Sequence, residues 1–200
     1  MASYRAIAAV SDAVIQLLES HYDPADFDGN QLEFSVYLAP DFTQPMNAGV
    51  SVLLYRIYAN SAHRTPAGRL GPDGTRQRTQ LPLDLHLLLT AWAKDASLQH
   101  TIAGWMMRVL EDTPSFPPGL LNRRYGNVFH ADETVEIGLA ELTTEELFRI
   151  WEVIVNNAYQ ISVPYVARVV RIESQLPTGD GVAIQERTFD YAKLLMPGEN

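Results

Sequence analysis

The stretch LPLDLHLLLTAW, Leu81 to Trp92, decides the fold. Leu83, Leu85, Leu87 and Leu89 fall on every second position, so in an extended chain they line one face. Asp84 and His86 share the opposite face with Leu88 and Thr90. This period of two predicts a strand with one fully apolar side. Just upstream, SVLLYRIY lies in a second predicted strand, from about Val50 to Tyr58. It is apolar on both faces and so belongs in the middle of a sheet. Between the two lies NSAHRTPAGRLGPDGTRQRTQ, residues 60–80, which has no hydrophobic period and is rich in Gly, Pro and Arg. Connections between core strands are normally a few residues long, and this one has about twenty.

Further elements follow on either side. Ile7, Val10, Val14, Leu17 and Leu18 have the three-four spacing of an amphipathic helix from about Tyr4 to Ser20. The turn-rich stretch DPADFDGN ends it. Leu32, Phe34, Val36 and Leu38 alternate with polar neighbours and predict a half-buried strand stopped by Pro40. Downstream of Trp92, the positions Leu98, Ile102, Trp105, Val109 and Leu110 predict a second helix, capped by Asp95 or Ser97. The segment PSFPPGLLNRRYGN reads as irregular, with one short turn at its centre. Val135, Ile137 and Leu139 predict a short strand. Thr143 and Glu146 have capping-box spacing and open a third helix with the stripe Leu147, Ile150, Trp151 and Ile154. A last strand runs from about Ile161 to Glu173, with Pro164 placing its start at a sheet edge or bulge. The whole is α+β: a mainly antiparallel sheet of about five strands with three packed helices.

The totals narrow the function. Two hundred residues with 46% hydrophobic content suit one domain with a sizeable core. The absence of cysteine excludes a disulfide framework, a thiol nucleophile and a Cys-ligated metal. The N-terminus does not read as a secretory signal, since Asp12 and Glu19 interrupt its helical apolar spacing. No run reaches the ~18 apolar residues of a membrane span. A net charge of −9 argues against nucleic-acid binding. That charge is uneven. Residues 56–78 carry Arg56, Arg64, Arg69, Arg76 and Arg78 against Asp73 alone, a net +4 that leaves −13 on the rest. A positive loop on a negative body suits docking on an identical neighbour.

Signals for catalysis are weak. Asp84 and His86 could join His130, Asp132 and Glu133 as metal ligands of a small hydrolase, but such spacings are common by chance. A buried histidine bonded to its neighbouring aspartate explains the first pair equally well. The sequence has no nucleophile elbow, phosphate loop or dinucleotide fingerprint. No catalytic residue, metal or cofactor is assigned.

Five pieces of the chain carry a family resemblance: VSVLLYRIYANSAHR, PLDLHLLLTAWA, GWMMRVLEDTP, VEIGLAELTTEELFRIWEVI and YQISVPYVARVVRIE. In this order and spacing the chain resembles the cap, or tail-terminator, family of contractile injection systems. The resemblance covers residues 1 to about 174. It implies a structural protein rather than an enzyme, with a tail-terminator-like α+β fold. It implies a six-membered ring on the last layer of the inner tube, touching the last sheath layer and stopping growth. The implied setting is the bacterial cytoplasm during assembly, then the finished particle, without nucleic acid or membrane as partners. The terminator or connector ring of a true phage tail is the alternative.

The chain accordingly divides into a domain of residues 1–174 and a C-terminal tail or assembly arm of residues 175–200. Two assembly surfaces are expected. One is the basic loop, through Arg64, Arg69, Arg76 and Arg78, meeting acidic surface such as Asp23, Asp26 and Asp28. The other is the arm, whose Phe189, Tyr191, Leu194 and Leu195, with Val182 and Ile184, are more apolar than a solvated end requires.

Overall fold

A computed structural model describes residues 2–63, 79–155 and 159–175. In chain order these form α1 (Ala6–His21), β1 (Glu33–Val36), β2 (Gly49–Ala59), β3 (Gln80–Trp92), α2 (Ala96–Asp112), β4 (Ser115–Phe116), α3 (Pro118–Leu121), β5 (Val135–Leu139), α4 (Thr144–Ile154) and β6 (Ser162–Glu173). One sheet has the order β1-β2-β3-β6-β5-β4. Among the described strands β1 and β2 run parallel and every other pair is antiparallel. The class is α+β as expected. The sixth strand and fourth helix come from the segment read as irregular, where β4 pairs Ser115 and Phe116 with Glu136 and Val135.

The sheet is covered on both faces. Leu83, Leu85, Leu87 and Leu89 of β3 are buried in the inner core with α1 and α2. Leu88 and Trp92 of the same strand point the other way, into an outer core closed by Trp151 of α4. Truncating a buried leucine of this kind costs about 2–5 kcal/mol. The outer core is aromatic. Phe42 packs edge-on against Trp151 at 5.5 Å, and Trp92 lies 6.3 Å from the same ring. Two polar pairs lie on this side of the sheet: Trp92 Nε1 donates to Ser51 Oγ at 2.8 Å, and the Thr90 and Ser162 hydroxyls meet at 2.9 Å, whereas the buried Trp151 Nε1 has no hydrogen-bond partner among the described residues. Breaking either pair would cost about 1–3 kcal/mol.

Local signals set the helix starts. Asp95 is the cap of α2, accepting the Leu98 amide at 3.0 Å. The capping box of α4 is complete: the Glu146 amide donates to Thr143 Oγ1 and the Thr143 amide to Glu146 Oε2.

Both neighbours of β3 break register beside it. Tyr55 is an extra residue on β2, between the pairs Leu54–Leu87 and Arg56–His86. On β6, Arg168 and Val169 together oppose Asp84, between the pairs Leu83–Val170 and Leu85–Ala167. Val169 has φ 57, a left-handed conformation that a β-branched residue rarely adopts. The bulge changes which residues face inward. Tyr165 and Ala167 face the inner core before it, and Val170 and Ile172 after it. Without the extra residue the last two would turn to the opposite face. Pro164 lies within the sheet opposite Leu88, and its carbonyl accepts the Ala140 amide just past the end of β5. A residue's N–H and C=O point to the same side of a strand, so the missing donor falls where β5 has stopped.

The first strand differs from its expected pattern. Leu32 is buried and Phe34 packs on the inner core, but Val36 is 38% and Leu38 70% exposed. Tyr37 is the buried residue, on the outer face, where its ring meets Phe42 at 5.4 Å and its hydroxyl accepts the Met46 amide. β1 is held close to β2 by Gly49, which has φ 147. A Cβ at Gly49 would fall 1.9 Å from the Glu33 carbonyl oxygen. Gly49→Ala is therefore expected to detach β1 and lower the unfolding free energy by ~2–4 kcal/mol, measured by urea denaturation. Unchanged stability would show that the β1–β2 contact is not held as described.

Candidate assembly surfaces

The basic loop leaves and re-enters the fold at one end of the sheet. Ala59 and Leu83 are the last paired residues of β2 and β3 at that end. The Asn60 amide donates to the Pro82 carbonyl at 2.9 Å, and a short 3-10 turn, Ser61–His63, follows. The chain's exit from β6 is at the same place, since the Ser174 amide donates to the Thr79 carbonyl at 2.9 Å. The predicted contact residues Arg64, Arg69, Arg76 and Arg78 lie outside the described residues, as do Phe189, Tyr191, Leu194 and Leu195.

The root of the loop combines apolar exposure with positive charge. Ile57, Tyr58 and Leu81 are 47%, 50% and 42% exposed where β2 and β3 run past both layers. The Arg56 guanidinium lies 4.0 Å from the centre of the Tyr58 ring, a cation–π contact. His86 lies between Tyr55 and Tyr58, with ring centres 5.9 and 6.0 Å away. Burial, and then the charge of Arg56, hold its imidazole below the ordinary histidine range, which favours the neutral ring.

Asp84 is not a partner of His86 in this arrangement. Its carboxylate accepts both contacts of the Asn60 amide group, at 3.0 and 3.3 Å, and the Val169 N–H at 2.9 Å. It thus satisfies the backbone donor of the bulge and ties β6 to the base of the loop. The second histidine cluster is elsewhere. His130 follows Val128 and Phe129, both buried in the inner core, and its amide donates to Glu133 Oε2 at 2.7 Å. Among the described residues, no group of three or more His, Asp and Glu side chains could hold a metal ion. No described helix is long and apolar enough to cross a membrane.

The acidic turn lies at the other end of the sheet. α1 starts near the end of β6, where the Glu173 amide donates to the Ala2 carbonyl, and runs toward the start of β2. Beyond it, Asp23 caps a 3-10 turn by accepting the Ala25 amide at 2.9 Å. Asp26 and Asp28 are exposed. β1 follows directly, level with Gly49. The 11 residues of β2 separate the two ends by roughly 33 Å. The acidic turn and the root of the basic loop thus lie at opposite ends of the sheet.

A third surface, which sequence reasoning missed, lies along the edge of β1 that is open among the described residues. Glu33 and Tyr37 donate to the Ala48 and Val52 carbonyls of β2. Phe34 and Val36, of opposite parity, turn their N–H and C=O groups away from β2. Between this edge and α1 runs a groove of about 910 Å³. Its wall on α1 includes Ile7, Ser11 and Ile15. Asp12, in the same wall, is 7% exposed and accepts from Arg124 Nη1 at 2.7 Å. A hydrogen bond to Asp12 pushes the Tyr125 hydroxyl up. Gln16 Oε1, buried at the groove, has no hydrogen-bond partner among the described residues. The exposed Val36 and Leu38 were the available sequence signal, but alternation alone assigned them to the core.

Comparison with known proteins agrees with this fold. The family described as the Pvc16 N-terminal domain matches residues 9–186. Among curated proteins no sequence matches the chain. Two solved structures share the fold. One is the sheath/tube terminator of an extracellular contractile injection system, PVC, in its extended state, with TM-score 0.56 and 15% identity. The alignment covers 92% of this chain and 64% of that one. The other is the tube-terminating cap of the anti-feeding prophage, AFP, with TM-score 0.59 and 13% identity, covering 90% of this chain and 59% of that one. This chain therefore spans less than two thirds of either structure.

The contacts of Asp84 generate a prediction that separates a structural role from metal binding. Asp84→Ala leaves the Val169 N–H without its acceptor and should lower the unfolding free energy by ~1–3 kcal/mol. Asp84→Asn, which keeps an acceptor oxygen, should lose less. Thermal unfolding of the wild type should not respond to a chelator. A fall in its melting temperature on chelation would return Asp84 and His86 to a metal role.

Proposed function

This chain belongs to the family of the Pvc16 N-terminal domain, and from that premise we propose that it caps the tube of a contractile injection particle. The role is structural rather than catalytic. Six copies form a ring on the last layer of the inner tube, meet the last sheath layer and stop growth. Assembly takes place in the bacterial cytoplasm, and the ring stays with the particle. The observation that carries this reading is the family match over most of the chain, joined to a fold shared with two terminators.

The surfaces suggest how the ring would close. A contact between different surfaces of identical subunits makes a ring when the rotation closes and a filament when it does not. The basic loop at one end of the sheet and the acidic turn at the other supply such a pair. Arginine is suited to it, because its guanidinium can grip a carboxylate with two parallel hydrogen bonds. A long loop costs the fold little, since doubling its length adds only about 0.6 kcal/mol of closure entropy. We assign Arg64, Arg69, Arg76 and Arg78 to contacts with acidic surface on the neighbour or on the tube layer beneath. Residues 175–200 serve as an assembly arm separate from the domain of residues 1–174.

Two experiments test this. Deleting the gene should leave tube and sheath synthesis intact but give particles of irregular length, or none, by electron microscopy. Uniform, complete particles would rule out the terminator role. Replacing all four arginines with glutamate should leave subunit melting nearly unchanged but abolish ring formation or docking. One exposed pair is worth ~1 kcal/mol or less, so single changes should have little effect. Wild-type assembly should weaken as salt rises. Normal capping by the four-fold variant would leave the loop without this role.

A further inference from the structure

The open edge of β1 and the groove beside it have the shape of a place for one more strand. Phe34 and Val36 present N–H and C=O groups at 6.8 Å repeats, roughly the two-residue rise of a strand. Pairing with an extended segment would complete the row, and main-chain hydrogen bonds would supply affinity. α1 overhangs the same edge. Its 16 residues span about 24 Å, the length of a strand of roughly seven residues. An added strand would lie beneath α1, with alternate side chains against Ile7, Ile15 and Val36. The buried, unpartnered Gln16 Oε1 offers an acceptor to a polar group entering the groove.

We propose that the occupant is the C-terminal arm of the neighbouring copy, with Phe189 and Tyr191 facing α1. This deepens the ring reading and rests on it. In the segment Thr188-Phe-Asp-Tyr-Ala192, the two aromatic residues are two apart and share one face of an extended chain, while Asp190 faces away. The arm and the basic loop share a root, through the bond from the Ser174 amide to the Thr79 carbonyl. At the receiving end, the acidic turn of Asp23–Asp28 leads directly into β1. Loop-to-turn contact between two copies would therefore bring the arm of one to the open edge of the other. From Gln175 to Phe189 is about 14 residues, a reach of up to ~46 Å.

The cysteine-free chain permits a direct test. Two full-length single-cysteine proteins, Val36→Cys and Tyr191→Cys, are mixed under ring-forming conditions and mildly oxidised. Val36 is exposed, so its replacement should not disturb the core. A second pairing, Val36→Cys with Phe189→Cys, covers the alternative register. Rings are scored first by negative-stain microscopy of the wild type. The expected result is a disulfide-linked heterodimer from mixed proteins, and a ladder of linked subunits from the double variant Val36→Cys/Tyr191→Cys. Formation of rings without crosslinking in either register would overturn the proposal while leaving the ring intact. A double variant that links only within its own chain, with no heterodimer on mixing, would overturn it by placing the arm in its own groove. Absence of wild-type rings on tube would instead remove the ring reading, and this inference with it.

Discussion

The structure depends on one strand being buried on both faces. β3 places Leu83, Leu85, Leu87 and Leu89 in the inner core and Leu88 and Trp92 in the outer. A strand so placed must have continuous hydrogen-bonded partners on both sides, because a buried unpaired backbone group is costly. Its neighbours adjust to it, each inserting an extra residue: Tyr55 in β2, and one residue of the pair Arg168–Val169 in β6. The β6 bulge requires a left-handed valine, a strain of about 1–3 kcal/mol that surrounding contacts must offset. Those contacts include the hydrogen bond from Val169 to Asp84 and the burial of Val170. Asp84 thus couples register, core packing and the position of the loop root.

What was legible in the sequence was what local periodicity and capping encode. The leucines of β3, the apolar stripe of α1 and the Thr143–Glu146 box specify their elements from within a few residues. The failures were nonlocal. Val36 and Leu38 continue an apolar alternation, yet Tyr37 is buried because Phe42 and Trp92 form an aromatic cluster on the other face of the sheet. The spacing of Asp84 and His86 suggested a pair, but the partners of Asp84 are Asn60 and Val169, 24 and 85 residues away in sequence. The run ARVVRI gives no sign that its inward parity changes at Val169. The two-residue strand β4 is defined only by its pairing with β5 and has too few residues to show a period. At the candidate site, the charge imbalance of the loop was visible in composition. The groove was not, because it requires α1 and β1 to be placed side by side.

The two edges of the sheet are unlike, and this bears on assembly. One edge is β4, Ser115–Phe116, which is too short to template another strand and has Phe116 fully buried. The other is β1, with a short open row and a groove beside it. Short edge strands are a common protection against indiscriminate pairing. Here the protection is stronger on the β4 side than on the β1 side. The four residues of β1 offer too few hydrogen bonds to hold a partner alone, so a bound segment must also fill the groove with suitable side chains.

That asymmetry favours closure in the proposed ring. In that proposal each copy would give one arm and offer one receiving edge. An open row of copies always leaves one arm and one edge unsatisfied. Closing the row satisfies both without adding a subunit, so the last contact loses less translational freedom than the first. In the proposed ring, growth sideways would then stop because no receiving edge would remain. For the proposed cap to stop growth along the tube axis, the face turned away from the tube must not resemble a tube layer. If the loop, the acidic turn and the edge of β1 are all used within the plane of the proposed ring, none of them needs to be repeated on that outer face.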